Sequence, residues 1–242
     1  MTMLSRSPGH IRLTRVNLMN ELVAAAKTGL DNIGSTPLGG HLKTNDIRKL
    51  SSKLFHSLKD KSKENVFSIC NCLLEQRSWP MGVIAFDFAC RMKKQYDENT
   101  FAIFESWLEK YVRGWGDCDD FCTHAFGELI CQDSGLSGNV IAWTKREEFW
   151  MRRAAAVVLI PSIWHDKYAQ TKPLQISDAL MTDGHDLVRK GYGWMLKILS
   201  TKEPDLVFEY LLKHKEIMPR VAYRYALEKM DAERKSILMQ RE

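Results

Sequence analysis

Nowhere does the 242-residue chain approach the ~20 consecutive apolar residues that a membrane-crossing helix needs, which excludes an α-helical membrane span. Residues 1–16 carry Arg6, Arg12 and Arg15 but no continuous apolar run, so they read as a flexible tail and not as a secretory signal. Neither glycine-rich phosphate loop, G-x-G-x-x-G or G-x-x-x-x-G-K-[ST], occurs, and nucleotide-cofactor chemistry has no support. A nucleophile elbow and an H-E-x-x-H zinc motif are also missing. Strand-like alternation of apolar and polar residues is absent. Charge of one sign does not dominate. The net charge is +5, which permits a polyanion partner without requiring one. The six cysteines fall inside apolar, helix-like stretches, where a free thiol behaves as a small buried hydrophobe. A chain of this length needs no disulfide framework, so a reducing, intracellular compartment is expected: the cytoplasm, or the nucleoid in a prokaryote.

Helical periodicity fills most of the rest. Apolar residues recur at i, i+3, i+4 and i+7, and short breaks fall at Gly, Pro, Asn or Asp. The pattern predicts helices over 13–28, 45–58, 62–76, 80–96, 100–112, 117–132, 145–160, 175–181, 185–200, 204–213, 219–230 and 231–239, with a Gly- and Pro-rich loop at 31–40. Ser78-Trp79-Pro80 offers a cap and a first-turn proline. Paired antiparallel, these helices give a period of about 35–40 residues, near that of HEAT repeats. We therefore expect an all-α, HEAT-like helical-repeat solenoid forming a single domain over 1–242, with a basic concave face suited to an extended ligand such as a duplex.

Three segments could carry chemistry. Gly114-Trp115-Gly116-Asp117-Cys118-Asp119-Asp120-Phe121-Cys122 places three carboxylates at a helix start. Acids there complement the helix dipole, which suffices for Asp117 and Asp120. Asp119 differs: residues four apart lie only about 40° apart on a helix, so it shares a face with Trp115 if the helix includes Trp115. An aromatic beside a carboxylate suits a flat, cationic ligand. A metal reading of Cys118, Cys122 and His124 fails, because His124 lies nearly opposite Cys122 and no second cysteine pair exists. The second segment runs from Lys145 to Val157 and puts Arg146, Trp150 and Arg153 on one stripe. Arg153 abuts an apolar run and needs a partner, either a phosphate or a carboxylate such as Asp119. In the third segment Lys190 and Lys197 flank Trp194, a combination that suits nucleic acid. Gly191 and Gly193 sit inside the same helix. Each costs about 1 kcal/mol there, which points to close approach by another helix or by a ligand.

Taken together these segments resemble the AlkD-type family of DNA alkylation repair proteins. The resemblance rests on Trp115-x-x-x-Asp119 with Phe126-Gly127, on Trp150-Met151-Arg152-Arg153-Ala154-Ala155, and on Arg189-Lys190-Gly191-Tyr192-Gly193-Trp194-Met195-Leu196-Lys197. Met218-Pro219-Arg220 and Tyr223-Arg224-Tyr225-Ala226 extend it, so that it covers about 62–230. It implies a HEAT-like glycosylase that excises positively charged N3- or N7-alkylated purines from duplex DNA without flipping the base. It also implies Asp119 as the catalytic carboxylate, Trp115 and Trp194 beside the lesion, and Arg153 on the DNA backbone. No metal or other cofactor is expected, and the protein is expected to be a monomer. On this reading Asp119→Asn would abolish excision with folding nearly intact. Two other classes remain open: a non-catalytic binder of damaged or branched DNA, and a helical-repeat protein scaffold.

Overall fold

A computed structural model of the chain describes residues 8–34 and 42–240, with side chains from residue 17 onward. These residues are helical with no strand. None of their helices is long and apolar enough to cross a membrane. The chain divides into two compact units, Met1–Gln95 and Tyr96–Glu242, a boundary that the reading of one continuous repeat domain does not mark.

The first unit holds α1 (Pro8–Gly34), α2 (Thr44–Ser57), α3 (Lys63–Leu74) and α4 (Trp79–Arg91). α1 starts earlier than the apolar pattern indicates, at a proline suited to the first helical position, so 8–16 are helix and not tail. Residues 1–7 and 35–41, most of the expected loop, lie outside the described residues. α3 and α4 pack against each other and bury Val66, Ile69, Cys70 and Leu73 with Val83, Ile84, Phe86 and Phe88. Pro80 occupies the first turn of α4 as expected, and Ser78 occupies the N-cap position, but its side chain makes no capping bond. α4 ends at Arg91, short of the expected Tyr96, where a 3-10 turn (Lys93–Gln95) takes over. Asp87 ties α2 to α4: its carboxylate accepts from Ser51 at 2.5 Å and from Arg91 at 2.9 Å.

The second unit continues with α5 (Thr100–Tyr111), α6 (Trp115–Thr123), α7 (Ala125–Gln132), α8 (Ser137–Val140), α9 (Phe149–Val157) and α10 (Ile160–Trp164). It closes with α11 (Pro173–Leu180), α12 (Asp186–Leu199), α13 (Pro204–Lys213), α14 (Arg220–Leu227) and α15 (Ala232–Met239). Its core is aromatic: Phe101, Phe104, Phe121, Phe126 and Trp143 meet at centroid separations of 5.2–6.0 Å. The buried Trp143 donates its ring N–H to Glu105 at 2.6 Å.

Two long helices in the sequence reading are each split. The 117–132 helix breaks at His124, whose backbone (φ −123°, ψ −97°) leaves helical space between α6 and α7. Gly127 makes this kink possible. A Cβ there would lie 2.2 Å from the Cys122 carbonyl oxygen and 2.5 Å from the Pro161 ring. The 145–160 helix starts only at Phe149 and breaks before Ile160-Pro161, since Pro161 cannot donate to Val157. Arg146 is consequently extended (φ −73°, ψ 152°) at the end of a 3-10 turn (Ile141–Lys145). The helical stripe expected for Arg146, Trp150 and Arg153 loses its first member.

Within this unit α6, α9, α12 and α14 form a row in which each packs on the next although others intervene in sequence. That arrangement is how a helical repeat stacks. Gly193 allows the closest approach: a Cβ there would sit 2.8 Å from the Ala222 carbonyl oxygen and 2.8 Å from the Tyr225 Cβ on α14. The helical glycine is explained by a neighbouring helix.

Substituting alanine should therefore destabilise both close-packed glycines by about 1–3 kcal/mol, despite the better helix propensity of alanine. Gly127→Ala is expected to lose more than Gly193→Ala, because its obstacle is backbone at 2.2 Å. Gly184→Ala, with open space around it, should stay within about 0.5 kcal/mol of the parent. Urea titrations that rank the three otherwise would contradict this packing.

Candidate active site

α6 begins one residue after the extended Gly114 (φ −145°, ψ 174°), so Trp115 is its first residue and Asp119 follows one turn later on the same face. Gly116 falls in the first turn, where a glycine disturbs little. Trp115 is 56% exposed, the most open tryptophan among the described residues. Cys118, Phe121 and Cys122 of α6 are buried, and the Cys118 thiol donates to the Trp150 carbonyl of α9 at 3.4 Å.

The three acids of α6 have separate surroundings. Asp117, in the first turn, has its carboxyl pushed up by burial, with a backbone bond from Arg113 opposing and Asp120 adding to the rise. Asp120 lies 3.8 Å from the His124 ring. Asp119 faces Arg153 of α9. The Arg153 Nε donates to Oδ1 and its Nη2 to Oδ2, both at 2.7 Å, a two-pronged fork. The side chains are 6% and 18% exposed for Arg153 and Asp119. Burial works against the charge on Arg153, but Asp119 outweighs it and holds the guanidinium above its ordinary range. The remaining prong, Nη1, donates to the Leu187 carbonyl on α12. Of the two kinds of partner open to Arg153, the Asp119 carboxylate is the one it reaches within the chain.

Gly191 leaves room for this arrangement. A Cβ there would stand 3.0 Å from the Arg153 Cγ and 3.3 Å from Nη1. The first turn of α12 is tied down as well. His185 occupies its N-cap and accepts the Leu187 N–H on Nδ1 at 3.2 Å. The His185 ring stacks on Phe149 of α9, 4.1 Å between centroids and 1° from parallel. Asp183 accepts from Arg152 Nε at 2.5 Å and from the His185 backbone N–H at 2.8 Å. The Asp183 carbonyl accepts from Arg189 at 2.6 Å. Phe149, Asp183 and His185 did not stand out as site residues in the sequence. The available signals were the i, i+4 spacing of Phe149 and Arg153 and the His185-Asp186 pair at a helix start.

The other expected site residues are dispersed along the same row. Trp194 is half-buried on α12, with Trp164 edge-on at 6.5 Å. Lys190 pairs with Asp186 at 3.2 Å and Lys197 with Glu228, the C-cap of α14, at 2.6 Å. Arg146 pairs with Glu109 at 2.8 Å. Trp150 lies under the Arg113 guanidinium, 5.3 Å away, with its ring N–H buried and without a partner. Each of the four cations expected to meet DNA thus has a carboxylate within reach. Cys118 and Cys122 are buried, and the Cys122 thiol is pushed up by burial and by Cys118 beside it.

A family model described as DNA alkylation repair enzyme matches residues 38–230, most of the chain and all of the site. The chain belongs to the DNA alkylation repair enzyme family. DNA is accordingly its substrate class. Two solved structures share the fold. A predicted DNA alkylation repair enzyme from Enterococcus faecalis aligns with a TM-score of 0.66 at 16% identity, over 96% of this chain and 100% of that one. AlkD2 from Streptococcus mutans aligns with a TM-score of 0.63 at 19% identity, over 88% and 100%. Comparison with curated proteins found no match.

The buried fork changes what Asp119→Asn should do to folding. The substitution leaves Arg153 buried against a neutral amide and should cost roughly 1–3 kcal/mol in a urea titration, whereas folding was expected to survive nearly intact. Asp117→Asn should cost nothing or stabilise slightly, since burial already favours the neutral form of that carboxyl. Equal losses in the two variants would show that the pair contributes no more than a surface charge does.

Proposed function

We propose that this family member is a DNA glycosylase that hydrolyses the N-glycosidic bond of positively charged N3- and N7-alkylated purines in duplex DNA, without flipping the base. The observation that carries the reading is Asp119, gripped on both oxygens by Arg153 and placed one turn from the exposed Trp115.

An N-alkylated purine carries positive charge and leaves readily. As the bond from C1′ to the base nitrogen breaks, its electron pair neutralises the purine, and positive charge develops on the sugar. A fixed carboxylate stabilises that oxocarbenium-like species and orients the water that adds to C1′, the water's proton passing to solvent. The fork matters because it fixes the carboxylate plane in advance, so that no reorganisation is needed when charge appears. The aromatic face of Trp115 attracts the cationic base and sugar, by about 0.5–2 kcal/mol, and gains little from a neutral base. Trp194 supplies a second such face. Reading the lesion by charge removes the need for a pocket around a flipped base.

In this reading the duplex backbone meets Lys190, Lys197 and Arg146 along a basic face of the repeat, with Trp150 nearby. Their carboxylate partners do not prevent this. Partly exposed ion pairs are worth about 0–1 kcal/mol, so a phosphate can replace Asp186 or Glu109 at little cost. Arg153 is different, since exchanging its partner would release Asp119. The protein acts as a monomer, with no metal or cofactor.

Incubation with duplex DNA containing one N7-methylguanine, followed by alkaline cleavage, should reveal abasic sites. Asp119→Asn should slow their formation by about 10²–10³. N3-methyladenine should also be released, and neutral hypoxanthine and 1,N6-ethenoadenine spared. Efficient removal of the neutral lesions would mean that a confining pocket exists. Tight binding with no release of any base would favour a non-catalytic DNA binder.

Affinity for duplex DNA should fall with salt, and Lys190→Ala or Lys197→Ala should each flatten the log–log slope by about 0.9. Affinity that is unchanged across salt concentrations would remove the backbone-directed model.

A further inference from the structure

We infer that His185 is a positioning residue for Asp119, acting through Leu187 and Arg153; the inference rests on the proposed excision chemistry for its rate readout alone. Phe149 and Arg153 are four residues apart on α9 and therefore share a face. Both engage the first turn of α12. Arg153 donates to the Leu187 carbonyl, and Phe149 stacks flat on the His185 ring. His185 in turn holds the Leu187 N–H on its Nδ1. The residue whose carbonyl anchors the guanidinium is thus itself anchored by a side chain that α9 keeps in plane.

The geometry specifies the imidazole. A backbone N–H needs an acceptor, so Nδ1 is unprotonated and the ring hydrogen resides on Nε2. Charged and titratable groups around the cap converge on the same end. Asp183 accepts the His185 backbone N–H, Arg152 reaches Asp183 from α9, Arg189 reaches the Asp183 carbonyl from α12, and Asp186 is the first residue of the helix. The first turn of α12 is consequently fixed to α9 at three places: the Asp183 to Arg152 pair, the stack and the Leu187 to Arg153 bond. Arg153 gains two fixed references, Asp119 on one side and Leu187 on the other. Without the second, the guanidinium keeps its partner but loses its orientation, and the carboxylate plane is free to swing.

An ordinary helix cap would stabilise α12 without affecting the carboxylate, and three variants separate the two roles. His185→Ala removes the acceptor. His185→Asn restores an acceptor of the kind favoured at N-caps without the ring. Asp231→Ala removes the cap of α15, where the Asp231 side chain accepts the Arg234 N–H at 2.8 Å away from the site. His185→Ala is expected to slow single-turnover release of N7-methylguanine on the order of 10-fold, a size typical of small misplacements, with duplex affinity within about two-fold. His185→Asn should recover most of the rate, and Asp231→Ala should leave it unchanged. Independently of catalysis, the side-chain Nε–H resonance of Arg153, assigned by its loss in Arg153→Lys, should exchange faster with solvent in His185→Ala and not in His185→Asn. The inference is overturned if the alanine variant matches the parent in rate and exchange, if asparagine is no better than alanine, or if Asp231→Ala slows release equally. Should the parent release no base, the excision reading fails by itself, and the resonance still decides whether His185 positions Arg153.

Discussion

The Asp119 to Arg153 fork is the constraint on which the rest of the site depends. Taking two charges out of water costs several kcal/mol per ion, and an interior pair offsets that only with good geometry and further hydrogen bonds. Both conditions are met. The fork is bidentate at 2.7 Å on each prong, and the third prong is satisfied by a carbonyl on the next helix. A lysine could not take this place, having no planar set of donors to match a carboxylate. The pair joins α6 to α9 and α9 to α12, so the helices that carry the candidate chemistry cannot shift independently. Gly191 belongs to the same arrangement, because a methyl group there would press on the Arg153 stem.

The chain thus concentrates its order at one end of α9 and spends little on the exposed cations. Lys190, Lys197 and Arg146 lie against carboxylates, leaving the face closer to neutral than a count of its basic residues implies. In the proposed contact with DNA, a phosphate must offer each of these cations more than the local carboxylate already does.

Much of this was legible in the sequence. The i, i+4 relation of Trp115 and Asp119 needed only the helical repeat, and α6 does start at Trp115. Gly193 announced a close approach, and α14 makes it. What escaped were the breaks and the partners. His124 carries no sequence mark of a helix break, and what accommodates the break, the close approach of Gly127 to the Cys122 carbonyl and to Pro161, exists only in the folded chain. On sequence grounds Arg153 had no fixed carboxylate partner, and only the packing of α6 on α9 brings Asp119 to it. Arg146 left the expected stripe because the 3-10 turn ends at Lys145 and Arg146 itself is extended, before α9 starts at Phe149. Tertiary contacts also settle the ring of His185, since Phe149 stands 36 positions away in the chain.

The buried cysteines have a consequence of their own. Cys70 and Cys122 are enclosed, and burial pushes both thiols well above their ordinary range. Electrophiles attack the thiolate and not the thiol. A protein that repairs alkylated DNA is exposed to the reagents that damaged it, and these two sulfurs present them with neither access nor the reactive form. Close helix packing thus shields these two sulfurs, Cys70 on α3 and Cys122 on α6, the helix that carries Asp119.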